Sequence, residues 1–137
     1  MEMGAAFAGL NWIAVVAAAA AAFFAGAIWY GPLFAKAWMA GFGFKEEELE
    51  GRHHGKIFGL TFVLNLVMAW NLAMFLGPEA DLMFGVMAGF FTGFGFVAPL
   101  IGVFYLFEGR CLKLFFVNAG FAVVSFTLMG AVVAAFN

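Results

Sequence analysis

Long apolar runs alternate along this chain with short clusters of charged residues. Four runs contain about 20 residues or more, the length of an α-helix that crosses a hydrocarbon core roughly 30 Å thick. Because a backbone in lipid must satisfy its own hydrogen bonds, runs of this length predict helices and not barrel strands. The pattern therefore predicts an all-α polytopic membrane protein, a bundle of four transmembrane helices. The runs are Ala5 to Tyr30, Ile57 to Leu76, Leu82 to Phe107 and Leu112 to Phe136.

Composition supports a membrane location for the whole chain. Of its 137 residues, 66% are apolar and 10% are charged, whereas a soluble domain has about 25% charged residues. A soluble fold of this length could not bury so much apolar surface. The charged residues fall almost entirely within residues 36–56, 79–81 and 108–113. We therefore expect a single integral membrane domain over residues 1–137, with the charged clusters in its loops.

Residues 32–56 connect the first two runs, and we expect them to leave the membrane. Gly31 and Pro32 are predicted to end the first helix, since proline cannot continue the hydrogen-bond ladder. The stretch LFAKAWMAGFGF is too short to span and combines aromatic residues with one lysine, which is typical of a helix lying in the interface. The charged stretch KEEELEGRHHGK is expected in water as a short cytosolic segment.

The basic residues predict the orientation, because cytoplasmic loops of bacterial inner membrane proteins are enriched in lysine and arginine. Four crossings place the loops after the first and third runs on one side. We therefore expect a multi-pass protein of the bacterial cytoplasmic (inner) membrane with both termini on the non-cytoplasmic side. The start MEMG carries no basic residue, so the first run is expected to be a retained helix and not a cleaved signal. The basic residues of these loops are Lys36, Lys45, Arg52, Lys56, Arg110 and Lys113.

The chain resembles the bacterial membrane family called domain of unknown function 1761. The resemblance rests on NWIAVVAAAAAAFFAGAIWYGPLFAKAWMAGFGFKEEELEG at residues 11–51 and on SFTLMGAVVAAF near the C-terminus. It covers essentially the whole chain, and its most specific part is WYGPLF with the lysine and tryptophan that follow. The resemblance implies a small four-helix integral membrane protein. It implies no established activity and transfers no catalytic residue.

Four polar residues within the apolar runs are candidates for interhelical hydrogen bonds or for a ligand pocket. At about 1.5 Å per residue from the cytoplasmic ends, Asn65 lies within one helical turn in depth of Asn118, and Asn71 lies equally close to Ser125. Such amides and hydroxyls commonly bond between helices, each contributing about 0.6 kcal/mol on average. A pocket for a polar ligand or a lipid is the alternative.

Small residues recur at four-residue intervals in two of the runs and predict close helix packing. We expect one of these ridges to close the bundle of a single chain, and the other to mediate association with a copy or with a larger complex. The sequence does not indicate which ridge has which role. One ridge consists of Ala18, Ala22 and Gly26, and the other of Gly85, Gly89 and Gly93.

Patterns of catalytic or metal-binding residues are weak. No Asp, Glu, Lys, Arg or His lies deep within a run, although proton relays and ion-coupled carriers commonly place one there. Glu50 and His53 have the spacing of a di-iron helix, but the motif occurs once and Gly51 interrupts it. A solvated acidic turn carrying His53 and His54 is therefore favoured over a metal site. We expect no enzyme, no cofactor, no metal and no nucleic acid partner.

These features favour a non-enzymatic structural or accessory subunit. We expect it to self-associate or to dock on a larger membrane complex, and otherwise to contact membrane lipids. The alternative is a carrier or pore for a small neutral or apolar molecule, whose path is lined by Asn65, Asn71, Asn118 and Ser125.

Overall fold

Four long helices account for most of the described chain. The computed structural model describes residues 10–44, 52 and 54–136. Within them, four helices are long and apolar enough to cross a membrane, which confirms the predicted fold class. We refer to them in chain order as the first, second, third and fourth spans. Their bounds are Trp12–Leu33, His54–Leu76, Leu82–Glu108 and Leu112–Ala135.

Side-chain caps define the starts of two spans. The Oδ1 atom of Asn11 accepts a hydrogen bond from the N–H of Ala14 at 3.2 Å, so Asn11 caps the first span. Asp81 caps the third span in the same way, accepting from the N–H of Phe84 at 2.8 Å. Short polar side chains at this position satisfy N–H groups that have no partner within the helix. The second span starts at His54, about one turn before the predicted start, because its first polar residues continue the helix.

The first span finishes at Leu33, one residue after Pro32. Its regular α-helix ends at Ile28, and its last turn is π-helical, Trp29–Leu33. In this turn the N–H of Phe34 donates to the carbonyl oxygen of Trp29 at 2.9 Å. The wider turn accommodates the missing N–H of proline at the end of the span.

A second π-helical turn, Gly93–Val97, lies in the middle of the third span. The N–H of Ala98 donates to the carbonyl oxygen of Gly93 across this turn. Pro99 follows at the beginning of the α-helical segment Ala98–Glu108, where a missing donor is tolerated. Of the two prolines within the described spans, Pro32 thus lies inside a widened turn and Pro99 lies just after one.

The helix predicted between the first two spans is present as Ala35–Phe42, which we call the connecting helix. It ends at Gly43, whose φ of 75° lies in the left-handed region that favours glycine. Gly41 packs on the beginning of the fourth span, where an added Cβ would lie 3.0 Å from Cδ1 of Leu114. The connecting helix therefore lies against one end of the bundle. The acidic turn that follows lies outside the described residues.

The fourth span is at the centre of the arrangement. The first span packs against the second and the fourth, and the third packs on the fourth over both of its α-helical segments. The second and third spans pack little against each other, although only a short turn joins them. Because the fourth span contacts all three of the others, it contributes more buried residues than any other described helix.

The buried core lies between the first, second and fourth spans, in the half of the bundle farther from the connecting helix. Three alanines of the first span are almost inaccessible, and they let the neighbouring helices approach closely. Larger side chains from the other two spans fill the remaining space. The main members are Val15, Ala18, Ala19, Ala22, Ala69, Leu72, Phe126, Met129 and Val133.

The beginning of the second span stands outside this core. Every residue from 54 to 61 is exposed in the single chain. The rings of Phe58 and Phe62 lie 6.0 Å and 6.1 Å from that of Phe23 and join the span to the bundle. Asn65 is the first buried residue of the span. About two turns of helix therefore remain exposed over much of their surface in one chain.

Candidate functional site

Three polar side chains from three spans meet near the connecting helix. The Oδ1 atom of Asn118 accepts a hydrogen bond from the hydroxyl of Tyr30 at 2.5 Å. The Nδ2 group of Asn118 donates to the hydroxyl oxygen of Tyr105. All three residues are half-buried, and hydrogen bonds are stronger in such surroundings than in water. We call these three residues the Tyr/Asn cluster.

Trp29 adds another polar link beside the cluster. Its indole Nε1 donates to the carbonyl oxygen of Val117 at 2.9 Å. Gly120 leaves room for the indole, since an added Cβ there would lie 3.2 Å from Cζ2 of Trp29. The indole also lies 6.2 Å from the ring of Phe121. Two consecutive residues of the first span are thus bonded to two consecutive residues of the fourth.

The local backbone explains this arrangement. Trp29 and Tyr30 both belong to the π-helical turn that carries the first span past Pro32. Turns of this kind occur often at functional sites. Tyr105 lies in the last turn of the third span and Asn118 in the second turn of the fourth. The four side chains therefore share one depth near the connecting helix.

The cluster has a defined donor direction. Tyr30 donates its hydroxyl proton to Asn118, and Asn118 donates to the oxygen of Tyr105. A hydroxyl carries one proton, so the proton of Tyr105 is directed away from Asn118. The three groups are neutral. Their arrangement suits two tasks, joining three spans and offering one hydrogen bond to a polar ligand.

The four polar residues predicted from sequence do not form one group, because no hydrogen bond joins any two of them in the described chain. Asn118 bonds to tyrosines, and Asn71 is exposed and donates to the carbonyl oxygen of Val67 in its own helix at 2.8 Å. Asn65 and Ser125 are buried, with exposed fractions of 8% and 4%. Their predicted role in ligand binding stays a prediction.

The glycine ridge of the third span packs on the fourth span. A Cβ added at Gly93 would lie 2.8 Å from the carbonyl oxygen of Ala122, and one added at Gly89 would overlap the carbonyl oxygen of Phe126. Gly130 of the fourth span belongs to the same contact, since a Cβ there would overlap the carbonyl oxygen of Gly85. The two backbones therefore touch, and only glycine fits at these positions.

The ridge of the first span also lies inside the single chain. Ala18 and Ala22 have exposed fractions of 0% and 1%. A Cβ added at Gly26 would lie 3.3 Å from Cζ of Phe121. Both ridges thus face other helices of the same chain, which leaves neither of them open to a partner.

Sequence reasoning did not select Trp29, Tyr30 and Tyr105 as polar partners. The sequence does indicate their depth in the membrane, because each lies within two turns of the loops next to the connecting helix, as Asn118 does. A comparison of the depths of tyrosine hydroxyls with those of asparagine amides would have identified the cluster.

The described residues contain no candidate metal site. Within residues 10–44, 52 and 54–136, no group of three His, Cys, Asp or Glu side chains could hold a metal ion. Glu50 and His53 lie outside the described residues, so the preference for a solvated acidic turn over a metal site stays a prediction. His54 begins the second span, and its ring lies 6.0 Å from that of Phe58.

Comparisons with known proteins identify a family. No curated protein and no solved structure matches the chain. A family model described as "Protein of unknown function (DUF1761)" matches residues 13–134. The matched region contains the connecting helix, the Tyr/Asn cluster, both ridges and nearly the whole of the four spans. The chain therefore belongs to the DUF1761 family of proteins of unknown function.

Proposed function

We propose that this protein is a non-enzymatic structural or accessory subunit, which self-associates through the uncovered beginning of its second span. A single observation carries the proposal. Residues 54–61 are exposed in the single chain, although the remainder of the span contributes to the core. A partner that covered these turns would complete the packing of the second span.

The uncovered turns contain a small-residue pair that the bundle does not use. Gly55 and Gly59 are four residues apart on the sequence HGKIFGL, which is the spacing that lets two membrane helices approach closely. A Cβ added at Gly59 would meet no atom within 4 Å. The ridges of the first and third spans, by contrast, face helices of their own chain.

A second copy is the simplest partner for this surface. Two copies inserted with the same orientation present the same glycine pair at the same depth. A two-fold axis parallel to the membrane normal would then bring Gly55 and Gly59 of one copy against those of the other, which is a self-complementary contact. Van der Waals packing between closely spaced backbones would supply the affinity.

Association is tested with Gly59→Leu in liposomes. We expect the wild-type chain to dimerise as its ratio to lipid rises, and the variant to dimerise about tenfold more weakly, because a leucine holds the two backbones apart. The measurement is single-molecule photobleaching of labelled chains over a series of protein-to-lipid ratios. Since the site is open in the single chain, the variant should fold normally.

Gly95→Leu is the matched control. Gly95 is also exposed, and a Cβ there meets no atom within 4 Å. The same side chain is therefore added to an open position of another span. A wild-type chain that stays monomeric at every ratio contradicts the proposal, and so does equal weakening by both substitutions.

The carrier or pore is the weaker candidate. Of its four proposed lining residues, Asn71 bonds to its own helix and Asn118 to two tyrosines. Only Asn65 and Ser125 would then remain to line a path. We therefore rank association above transport.

We further propose that the protein lies in the bacterial inner membrane with both termini on the non-cytoplasmic side. All lysines and arginines lie in the loops after the first and third spans or in the first turn of the span that follows, which supports this orientation. Cys111 is the single cysteine, and it is exposed in the loop before the fourth span. A membrane-impermeant maleimide should label it in inverted vesicles and not in intact spheroplasts.

A cysteine in the opposite loop provides the control for orientation. Glu79→Cys in a Cys111→Ser background places the thiol in the exposed turn between the second and third spans. We expect labelling in spheroplasts and not in inverted vesicles. The reverse pattern in both variants would show that the proposed orientation is wrong.

A further inference from the structure

Two arginines from different loops lie on neighbouring phenylalanine rings. The Cζ atom of Arg110, which follows the third span, lies 4.5 Å from the centre of the Phe42 ring. The Cζ atom of Arg52, which precedes the second span, lies 4.7 Å from the centre of the Phe44 ring. The two rings are stacked, with centres 5.3 Å apart and planes 19° apart. The segment before the second span and the loop after the third span thus each place one guanidinium group against this pair of rings.

The end of the connecting helix builds the surface beneath these arginines. Gly43 takes a left-handed conformation between Phe42 and Phe44, and this turn lets two rings so close in sequence stack. The ring of Trp38 lies 5.3 Å from that of Phe42 and 5.4 Å from that of Phe44. Tyr105 contacts the Phe42 ring edge-on at 6.5 Å. We call Phe42, Phe44, Arg52 and Arg110 the arginine platform.

Both guanidinium groups keep hydrogen-bond donors to spare. The Nε of Arg110 lies 3.4 Å from Oε2 of Glu108, a partly exposed ion pair. Among the described residues, no other ion pair or hydrogen bond involves the side chain of Arg110 or of Arg52. A guanidinium carries five N–H donors in a planar fork that matches the oxygens of a phosphate. Cation–π contact with a ring face leaves the edge of the fork available.

The place of the platform in the fold indicates where such a phosphate would come from. Arg110 follows the third span after a single glycine, and the aromatic rings lie at the end of the connecting helix. Aromatic and basic residues just beyond the apolar length of a span lie at the level of lipid headgroups. Basic residues at this level attract anionic lipids. The position of the arginines therefore favours a lipid phosphate over a soluble phosphate, which would approach the same N–H donors from the aqueous phase.

We infer that the arginine platform binds anionic phospholipids through their phosphate groups. Arg52 and Arg110 each donate to phosphate oxygens, and the stacked rings hold the two guanidinium groups in place. Trp38 and the rings provide apolar contact beneath the headgroup. This site is independent of the association proposed for the second span.

The test measures lipid retention by native mass spectrometry. The full chain is released from nanodiscs that contain equal amounts of phosphatidylglycerol and phosphatidylcholine. We expect the wild type to retain phosphatidylglycerol preferentially. Arg52→Gln and Arg110→Gln should each lower this retention about fivefold, because each removes direct hydrogen bonds to phosphate oxygens that a merely neighbouring charge does not make.

Two lysines provide matched controls for charge. Lys36→Gln and Lys113→Gln each remove one positive charge from an exposed position near the same end of the bundle. Retention should fall less than twofold in either. Equal losses in all four variants would indicate diffuse surface charge and would overturn the site. Phe44→Leu keeps every charge and removes the ring beneath Arg52, and it should also lower retention.

Free phosphate distinguishes the two sources of the ligand. Millimolar inorganic phosphate should leave the retention of phosphatidylglycerol unchanged. If phosphate displaces the lipid, or if it binds to a chain that shows no lipid preference, the ligand is soluble and the lipid assignment is wrong. Unchanged retention in Arg52→Gln would show that Arg52 does not bind the lipid, which also overturns the two-arginine site.

Discussion

Replacing Gly89 with alanine is expected to loosen the third span from the fourth and to destabilise the folded chain by roughly 3 kcal/mol. The Cβ of alanine at this position would overlap the carbonyl oxygen of Phe126. Backbone atoms cannot move aside as a flexible side chain can, so the two helices must separate. That separation removes dispersion contacts between the two helices along the whole ridge. Such contacts are a main source of helix association in lipid, where the hydrophobic effect does not drive helices together.

Gly95→Ala is the control for this prediction. It introduces the same methyl group in the same span, where a Cβ meets no atom within 4 Å. Its effect should stay within about 0.5 kcal/mol, as for other surface substitutions. The free energy of unfolding is measured by steric trapping in bicelles for both variants. Equal stability of Gly89→Ala and the wild type would show that the third span does not pack on the fourth in the membrane.

The sequence predicted the number of the spans, because run length and the absence of charge are sufficient for that. It did not predict the start of the first span, which begins at Trp12 after the cap at Asn11 and not at Ala5. It did not determine which helices touch. Apolar residues surround each span on all sides, so periodicity does not distinguish a face that packs on protein from a face that meets lipid. The ridge at Gly85, Gly89 and Gly93 was predicted as a packing surface. Its partner at Gly130 becomes evident only when the two backbones are placed together.

Pro32 shows a second limit of the sequence pattern. Proline removes one hydrogen bond from a regular helix, and this rule predicts that the first helix ends close to Pro32. It does not predict that the last turn of the span is π-helical, Trp29–Leu33. That turn also carries Trp29 and Tyr30, whose partners lie in the fourth span. The π-helical turn that the sequence did not predict is therefore also the turn that positions two residues of the candidate site.

The amide of Asn118 has a predictable role in stability because it holds two tyrosines at once. Asn118→Leu keeps the approximate volume and removes both hydrogen bonds, to Tyr30 and to Tyr105. Interhelical hydrogen bonds in membranes contribute about 0.6 kcal/mol each on average. A polar group that loses its partner in half-buried surroundings costs more, about 1–3 kcal/mol. We expect Asn118→Leu to lower the free energy of unfolding by roughly 2 kcal/mol.

Two further variants separate the loss of these bonds from a change in packing. Adding Tyr30→Phe and Tyr105→Phe to Asn118→Leu removes the hydroxyls that the single substitution leaves without a partner, so the triple variant should be more stable than Asn118→Leu alone. Asn71→Leu makes the same substitution at an exposed asparagine that bonds to its own helix, and it should change stability by less than about 0.5 kcal/mol. Steric trapping measures all three variants. If Asn118→Leu and Asn71→Leu were equally stable, the Tyr/Asn cluster would not join the spans, because an amide that bridges three helices must contribute more than one that bonds to its own backbone.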